Sequence, residues 1–479
     1  MTLAEGAISL QHSALGLDSQ SNLEVPMRFL FLLFLCAGGV ASADDFTPAK
    51  DGRLARPDTL QDPALRSILE AAQADHQAWK RLADLCDNIG ARLAGSEGLE
   101  RSVEWSVQQL KDVGADAVWT EPVMVPTWVR GEESAEMLSP RRQPLNILGL
   151  GGTVAGDVEG EIVVVRDLDS MGDEVRDRIV LFDTPMEATT PAVKGYGGAV
   201  GVRITGPSKA AELGAKATML RSLTTRSLDT PHTGVTKYAS DEHRIPAVAV
   251  TIEDASSMAR LVDAGVPVKV AIKTSGKTLA DSQSHNVIGE IRGSDKPHEI
   301  VLIGAHLDSW DVGQGAHDDG AGVVEVIEAL RIIKSLGLQP KRTIRVVLFT
   351  NEENGLRGGL AYAEAHRPRR KEKHRVAVES DLGGGPPRFW TVGGSPKGLA
   401  WFEKAAAPLG MPVVEGGGGA DIKPLGEQGV LRVGFRPDDS AYFDIHHTRA
   451  DTVDKVNPDH LAEATAAMAG LAWLLANAD

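Results

Sequence analysis

The chain predicts an α/β fold, an open sheet flanked by helices, from three observations. Residues 301–305 are a short apolar run of β type that ends at His306. Residues 320–336 carry Val323, Val324, Ile327, Leu330 and Ile333 at helical spacing. Residues 345–350 are a second apolar run, followed by Glu352 and Glu353. Strand, helix, strand is the unit from which such sheets are built. Ligands of these sheets collect in the crevice outside the carboxyl ends of the strands. Both runs stop at residues that carry chemistry.

The first element ends in AHLDSWDVGQGAHDDG (305–320) and the second in FTNEENGLRGG (349–359). His306 and Asp318 are a nitrogen and an oxygen donor, and Glu352 and Glu353 are adjacent carboxylates. A borderline-soft cation such as Zn²⁺ binds imidazole and carboxylate and polarises water and carbonyls. One carboxylate of the pair can then ligate while the other moves a proton. Asp318 and Asp319 also stand where the helix begins, which suits acidic side chains beside unsatisfied N–H groups. Taken singly, a histidine after a strand is ordinarily structural, a Glu pair is ordinarily solvated, and Asp-Asp-Gly is an ordinary cap. Their order at successive strand ends points to a metal-dependent hydrolase.

This order of motifs resembles the zinc aminopeptidase superfamily with two co-catalytic metals, and within it the carboxypeptidase Q group. Residues 121–141 (EPVMVPTWVRGEESAEMLSPR), 230–238 (TPHTGVTKY) and 335–350 (SLGLQPKRTIRVVLFT) carry the same resemblance, which spans roughly residue 60 to the C-terminus. It implies a mixed central sheet flanked by helices, of the phosphorylase/hydrolase-like zinc exopeptidase type, and two Zn²⁺ per subunit. It also implies the site: His306, Asp318 and Asp381 on one zinc; Asp318, Glu353 and His447 on the other; Glu352 as general base. Asp308 matches the carboxylate that orients the imidazole of His306, a common arrangement behind metal-bound histidines.

Some positions stay open. Glu379 is the alternative to Asp381. His446 either packs beside His447 or orients substrate. His317 is either a polar contact near the site or a tolerated surface residue. Asn351, before the Glu pair, reads as neutral for mechanism. EGGGGADIK (415–423) reads as a linker by composition and as a loop near the substrate by resemblance.

At 479 residues the chain suits two domains with ample core. Apolar content of 42% and charged content of 24% are those of a globular protein. A net charge of −16 argues against a nucleic-acid surface, and the basic stretch 367–373 reads as a solvated helix end. Met27-Arg28, an apolar run over 29–36 and Ala41-Ser42-Ala43 read as an export signal. Met27 is then the true start, residues 1–43 are removed, and the mature chain begins at Asp44. The apolar run is too short to span a bilayer, so no stable membrane anchor is expected. Cleavage leaves Cys86 alone, without a disulfide partner.

Residues 44–62 read as a short pro-segment or linker. The peptidase domain is expected over 63–122 and 278–479. Within it, 63–89 and 100–113 read as amphipathic helices, the latter ended by Gly114, and 458–478 as a closing helix. Residues 123–277 resemble a protease-associated domain, with strands at 161–165, 178–182, 199–204 and 247–252. That insert holds no metal-ligand cluster and reads as a lid or gating scaffold. The expected protein is a secreted di-zinc exopeptidase of short peptides, dipeptides with free termini foremost, with a homodimer suggested by the resemblance. A broader aminopeptidase and a non-catalytic peptide-binding relative are the competing readings; complete ligand positions speak against the last. The acidic cluster can hold a substrate ammonium. A substrate carboxylate would need a donor elsewhere, such as a turn near Gly416 or a facing subunit.

Overall fold

The computed structural model describes residues 52–367 and 372–479. The export-signal expectation, Met27 and Asp44 lie outside the described residues. Helices α1 (Pro63–Ala74) and α2 (Gln77–Asn88) replace the single helix expected over 63–89. Asp75 accepts a hydrogen bond from the Gln77 N–H at 3.0 Å, and His76 takes a left-handed φ of 50°. A side chain that caps a new helix thus interrupts the old one, although the apolar spacing runs on across the break. Helix α3 (Glu97–Asp112) starts at Ser96, whose hydroxyl accepts from Leu99 N–H.

Strand β1 (Ala117–Val129) is followed by β2 (Glu133–Ser139), β3 (Gln143–Leu145), β4 (Ile147–Gly149), β5 (Gly156–Val165) and β6 (Ile179–Phe182). Helix α4 (Ala192–Glu212) leads to β7 (Ala217–Arg221) and β8 (Ala247–Val250), and α5 (Ile252–Asp263) to β9 (Lys269–Thr274). Next come β10 (Lys277–Ile291), β11 (Lys296–His306), α6 (Ala321–Ser335), β12 (Arg342–Phe349), α7 (Arg357–Ala365) and β13 (Lys373–Glu379). The chain closes with β14 (Pro387–Gly393), α8 (Pro396–Ala406), β15 (Val413–Glu415), α9 (Lys423–Glu427), β16 (Leu431–Pro437), α10 (Tyr442–Ile445) and α11 (Pro458–Asn477).

Two eight-stranded sheets result. The first runs β1-β10-β12-β11-β13-β16-β14-β15 and is mixed: β12, β11, β13 and β16 are mutually parallel, with antiparallel partners outside them. Val301, Ile303, Val346 and Val378 pack from its strands against Val326, Leu330, Leu471 and neighbours of α6 and α11. The parallel strands are buried on both faces, as helix-covered sheets require. The second sheet runs β3-β2-β9-β5-β6-β7-β8-β4, and all its strands lie between Glu133 and Thr274.

Residues 199–204, expected as a strand, lie inside helix α4. β6 and β7 pair in parallel, so the chain must cross the sheet between them, and a helix is the usual crossover. Tertiary geometry therefore overrides a glycine- and valine-rich local sequence.

Candidate metal centre

Four loops meet at the carboxyl ends of the parallel strands. His306 is the last residue of β11, in register with Phe349 at the end of β12. Glu352 and Glu353 follow β12, and Asp381 follows β13, whose Glu379 pairs with Gly304. Asp318 comes from the turn before α6, where Gly315 takes φ 59°. A Cβ at Gly315 would collide with the Ser309 side chain, so glycine is required on both counts. His447 follows α10 and has φ 62°; Asn351, before the Glu pair, has φ 64°. Left-handed backbone outside glycine gathers at functional sites, and Asn tolerates it better than most residues.

The donor atoms fall into two groups sharing Asp318. His306 Nε2 lies 3.2 Å from Asp318 Oδ1 and 3.3 Å from Asp381 Oδ1. His447 Nε2 lies 3.2 Å from the other Asp318 oxygen and 3.0 Å from Glu353 Oε2. His446 Nε2 is 3.5 Å from Asp318 Oδ2, and its ring stacks on His447 at 3.5 Å. His306 Nε2, Asp318 Oδ2 and Glu353 Oε1 are buried without an aligned hydrogen bond. A tetrahedral zinc with bonds of about 2.0–2.1 Å sets its donors about 3.3 Å apart. Orphaned polar atoms at that spacing fit a cation between them.

The electrostatics agree. Burial works against a charged His306, yet Asp318 and Asp381 outweigh it and hold its pKa well above the ordinary value. Burial also opposes His447, which Glu353 and Asp318 raise to about 9. Glu353 is pushed up to about 7 by burial and then by Asp318. Glu352 is raised well above the usual carboxylate range by burial, against the opposing pull of His306 and with Asp381, Asp421 and Glu353 adding. The centre is short of positive charge.

The surrounding groups explain how these side chains are held. His306 Nδ1 faces the Asp308 carbonyl at 3.0 Å, whereas the Asp308 carboxylate is 4.0 Å away. The carboxylate instead accepts from the Glu352 and Glu353 N–H groups at 2.9 and 3.3 Å. The expectation that the Asp308 side chain orients the imidazole is therefore corrected: its carbonyl does that, and its side chain fixes the Glu pair. Asp319 accepts from His306 N–H and Gly322 N–H, and Asp451 from His317 N–H and Asp318 N–H. His447 Nδ1 donates to the Thr233 carbonyl at 3.2 Å, which leaves Nε2 as the free donor. Glu379 accepts from the Asp421 and Ile422 N–H groups, so it supports the loop while Asp381 faces His306. His317 is half-buried, accepts from Gly384 N–H at 3.3 Å and lies beside Tyr442.

Thr233, Asp451 and Asp421 were not singled out from sequence. Thr233 acts through its backbone, which no side-chain pattern reveals, although it sits in the TPHTG stretch. Asp451 stands four residues after His447, immediately before Thr452. Asp421 is buried with both oxygens unpartnered, in a segment that reads as a linker.

Residues 286–472 match the family model for peptidase family M28. The chain is 38% identical to carboxypeptidase Q of Bos taurus over 415 residues, 85% of this chain and 86% of that protein. The chain belongs to peptidase family M28. A crystal structure of a peptidase M28 precursor from Shewanella amazonensis SB2B superposes with a TM-score of 0.83 at 38% identity, covering 87% of this chain and 96% of that one. A zinc aminopeptidase from Bacillus subtilis shares the fold, with a TM-score of 0.60 at 19% identity over 84% of this chain and 94% of that one. This M28 protein is a metallo-exopeptidase on an α/β fold with a mixed central sheet.

Proposed function

We propose that this metallo-exopeptidase is a di-zinc enzyme that hydrolyses short peptides, dipeptides with free termini foremost. The observation that carries this reading is Asp318, whose two oxygens face separate donor groups at 3.2 Å each. His306, Asp318 and Asp381 would hold one zinc; Asp318, Glu353 and His447 would hold the other. Zinc supplies Lewis acidity and lowers the pKa of bound water towards neutrality. Glu352, half-buried beside these ligands, accepts the proton at its carboxylate as water adds to the scissile carbonyl. It then delivers that proton to the leaving amine. Asp308 keeps Glu352 and Glu353 in place through their N–H groups.

The remaining elements of the proposal rest on sequence. Residues 123–277 are read as an inserted protease-associated-like domain on a peptidase made of 63–122 and 278–479; the second sheet lies within it, between Glu133 and Thr274, while 123–129 complete β1 of the first sheet. Export is directed by the segment after Met27, and the exported chain begins at Asp44. N-terminal sequencing of exported protein checks this, and an intact Met1 or Met27 overturns it. Among the described residues no helix is long and apolar enough to cross a membrane. The partners are peptide substrates and a second copy of the chain in a homodimer. The net charge of −16 disfavours nucleic acid.

The test is a dipeptide panel with each terminus free or blocked, run beside metal analysis. Two zinc per chain, cleavage of free dipeptides and no cleavage of N-acetylated ones are expected, because the acidic centre favours an ammonium. Amidation of the C-terminus should weaken cleavage less completely. Efficient hydrolysis of N-blocked peptides would overturn the amino-end requirement and favour a carboxypeptidase.

A further inference from the structure

Helix α4 carries a cation to the metal centre that no carboxylate of the described residues answers. The Arg203 side chain belongs to a residue only 5% exposed, and its Nε has no hydrogen-bond partner. Nη1 lies 3.4 Å from the Thr233 carbonyl and 3.4 Å from Nδ1 of His447. The guanidinium stands 5.6 Å from the centre of the Tyr196 ring. Tyr196 and Arg203 are seven residues apart, two helical turns, and so share a face of α4. Tyr196 stacks on Phe443 at 4.8 Å and meets His446 edge-on at 5.0 Å. His446 in turn stacks on His447.

Burying a guanidinium without a counter-charge costs several kcal/mol, so a purely structural role leaves that cost uncompensated. The Thr233 carbonyl is a neutral acceptor at long range and answers little of it. Arg92, also buried near the centre, spends its donors on the Leu307, Gly90, Gln314 and Gly315 carbonyls. Arg436 differs as well. It has Asp381, Glu379 and Asp439 in its field, and it donates to Thr391 Oγ1 and the Gly417 carbonyl. In the turn near Gly416, the Gly416 N–H itself is committed, since it donates to the Val392 carbonyl at 2.9 Å. Tyr196 remains a proton donor at neutral pH: burial pushes its pKa up to about 12, Arg203 opposes this, and Asp318 and Glu353 add to it.

We propose that Arg203, with the Tyr196 hydroxyl beside it, binds the free terminal carboxylate of the peptide substrate. The guanidinium fork matches a carboxylate's two oxygens, and it stands behind a histidine whose opposite nitrogen faces the reacting centre. α4 thereby supplies a carboxylate donor beside the metal-binding loops. This assignment rests on the exopeptidase reading above.

The experiment compares a free dipeptide with its C-terminal amide in wild type, Arg203→Gln, Arg203→Lys and Tyr196→Phe, with zinc measured in each. Calorimetric affinities for the same two compounds are taken in Glu352→Gln with and without Arg203→Gln. Losing a charge-assisted hydrogen-bond pair should raise KM and Kd for the free acid about 10–100-fold. The amide should change less than about threefold, and kcat and zinc content should hold. Tyr196→Phe should shift the acid in the same direction by less, and Arg203→Lys should fall between wild type and Arg203→Gln. Parallel losses for acid and amide, or loss of zinc with affinity, would overturn the assignment and leave Arg203 as a brace for Thr233 and His447. A zinc-loaded wild type that cleaves no dipeptide would sink the exopeptidase substrate reading instead, and the calorimetric acid–amide difference would still report on Arg203.

Discussion

Glu352 and Glu353 are neighbours in sequence and opposites in environment. Glu353 Oε2 is 3.0 Å from His447 Nε2, whereas Glu352 is half-buried and meets the centre only through its field. Glu352→Gln should therefore keep its zinc and fold while turnover falls roughly 10²–10⁴-fold. Glu353→Gln should lose zinc along with activity; the reverse order of losses in metal analysis would exchange the two roles. Asp308 is tested separately. Its carboxylate holds two N–H groups of the Glu pair, and an amide at that position can accept with only one atom. Asp308→Asn should weaken zinc binding about 10–100-fold, the usual effect of losing support behind a ligand, as read by competition with a chelator. The identity of these side chains is legible in sequence because their spacing follows the strand ends. The function of Asp308 is not, because carbonyl and carboxylate of one residue serve different neighbours.

Among the elements, α4 is one that sequence reading mistakes and one that reaches the site, through Tyr196 against His446 and Arg203 against His447. Its GYGGAVGVRITG run has β-type composition, and its helical state follows from the parallel pairing of β6 and β7, a contact between segments distant in sequence. β11, α6 and β12 were legible because burial and periodicity agree along them. The same long-range logic anchors α4 at its start. The buried Asp439 carboxylate accepts from Ala192 N–H at 2.9 Å and Val193 N–H at 2.8 Å, a cap supplied from another part of the chain. Such caps contribute about 1–2 kcal/mol. Asp439→Ala should lower unfolding stability by roughly that amount in urea titration. It should also raise KM, because Tyr196 and Arg203 ride on the same helix, while zinc content stays unchanged. An unaltered KM would separate α4 placement from substrate binding.

At the scale of the whole molecule, the centre couples metal to folding. A protein without zinc relieves its crowded carboxylates by taking up protons: His447 is raised to about 9 and Glu353 to about 7. A histidine with a raised pKa stabilises the fold fully below its unfolded pKa of about 6.5, and that contribution is lost as pH climbs to about 9. A carboxyl raised to about 7 adds a loss from its unfolded value of about 4.3 upward. Both signs agree, so these two groups weaken the metal-free protein from about pH 5 to about pH 9, by about 1.4 kcal/mol per unit for each proton released. His446, held well below its ordinary value by burial and by His447, opposes them only below its unfolded pKa of about 6.5. Bound by these groups, zinc would require them deprotonated and would replace the lost charge, so the loaded protein would escape this decline. Ligand binding to the folded state adds about 4 kcal/mol when free zinc exceeds its Kd a thousandfold. Melting curves with zinc and with chelator should therefore diverge as pH rises from 5 to 9. A gap that stays flat or narrows over that range would mean that His447 and Glu353 do not bind the metal, and the second half of the centre would have to be drawn from other side chains.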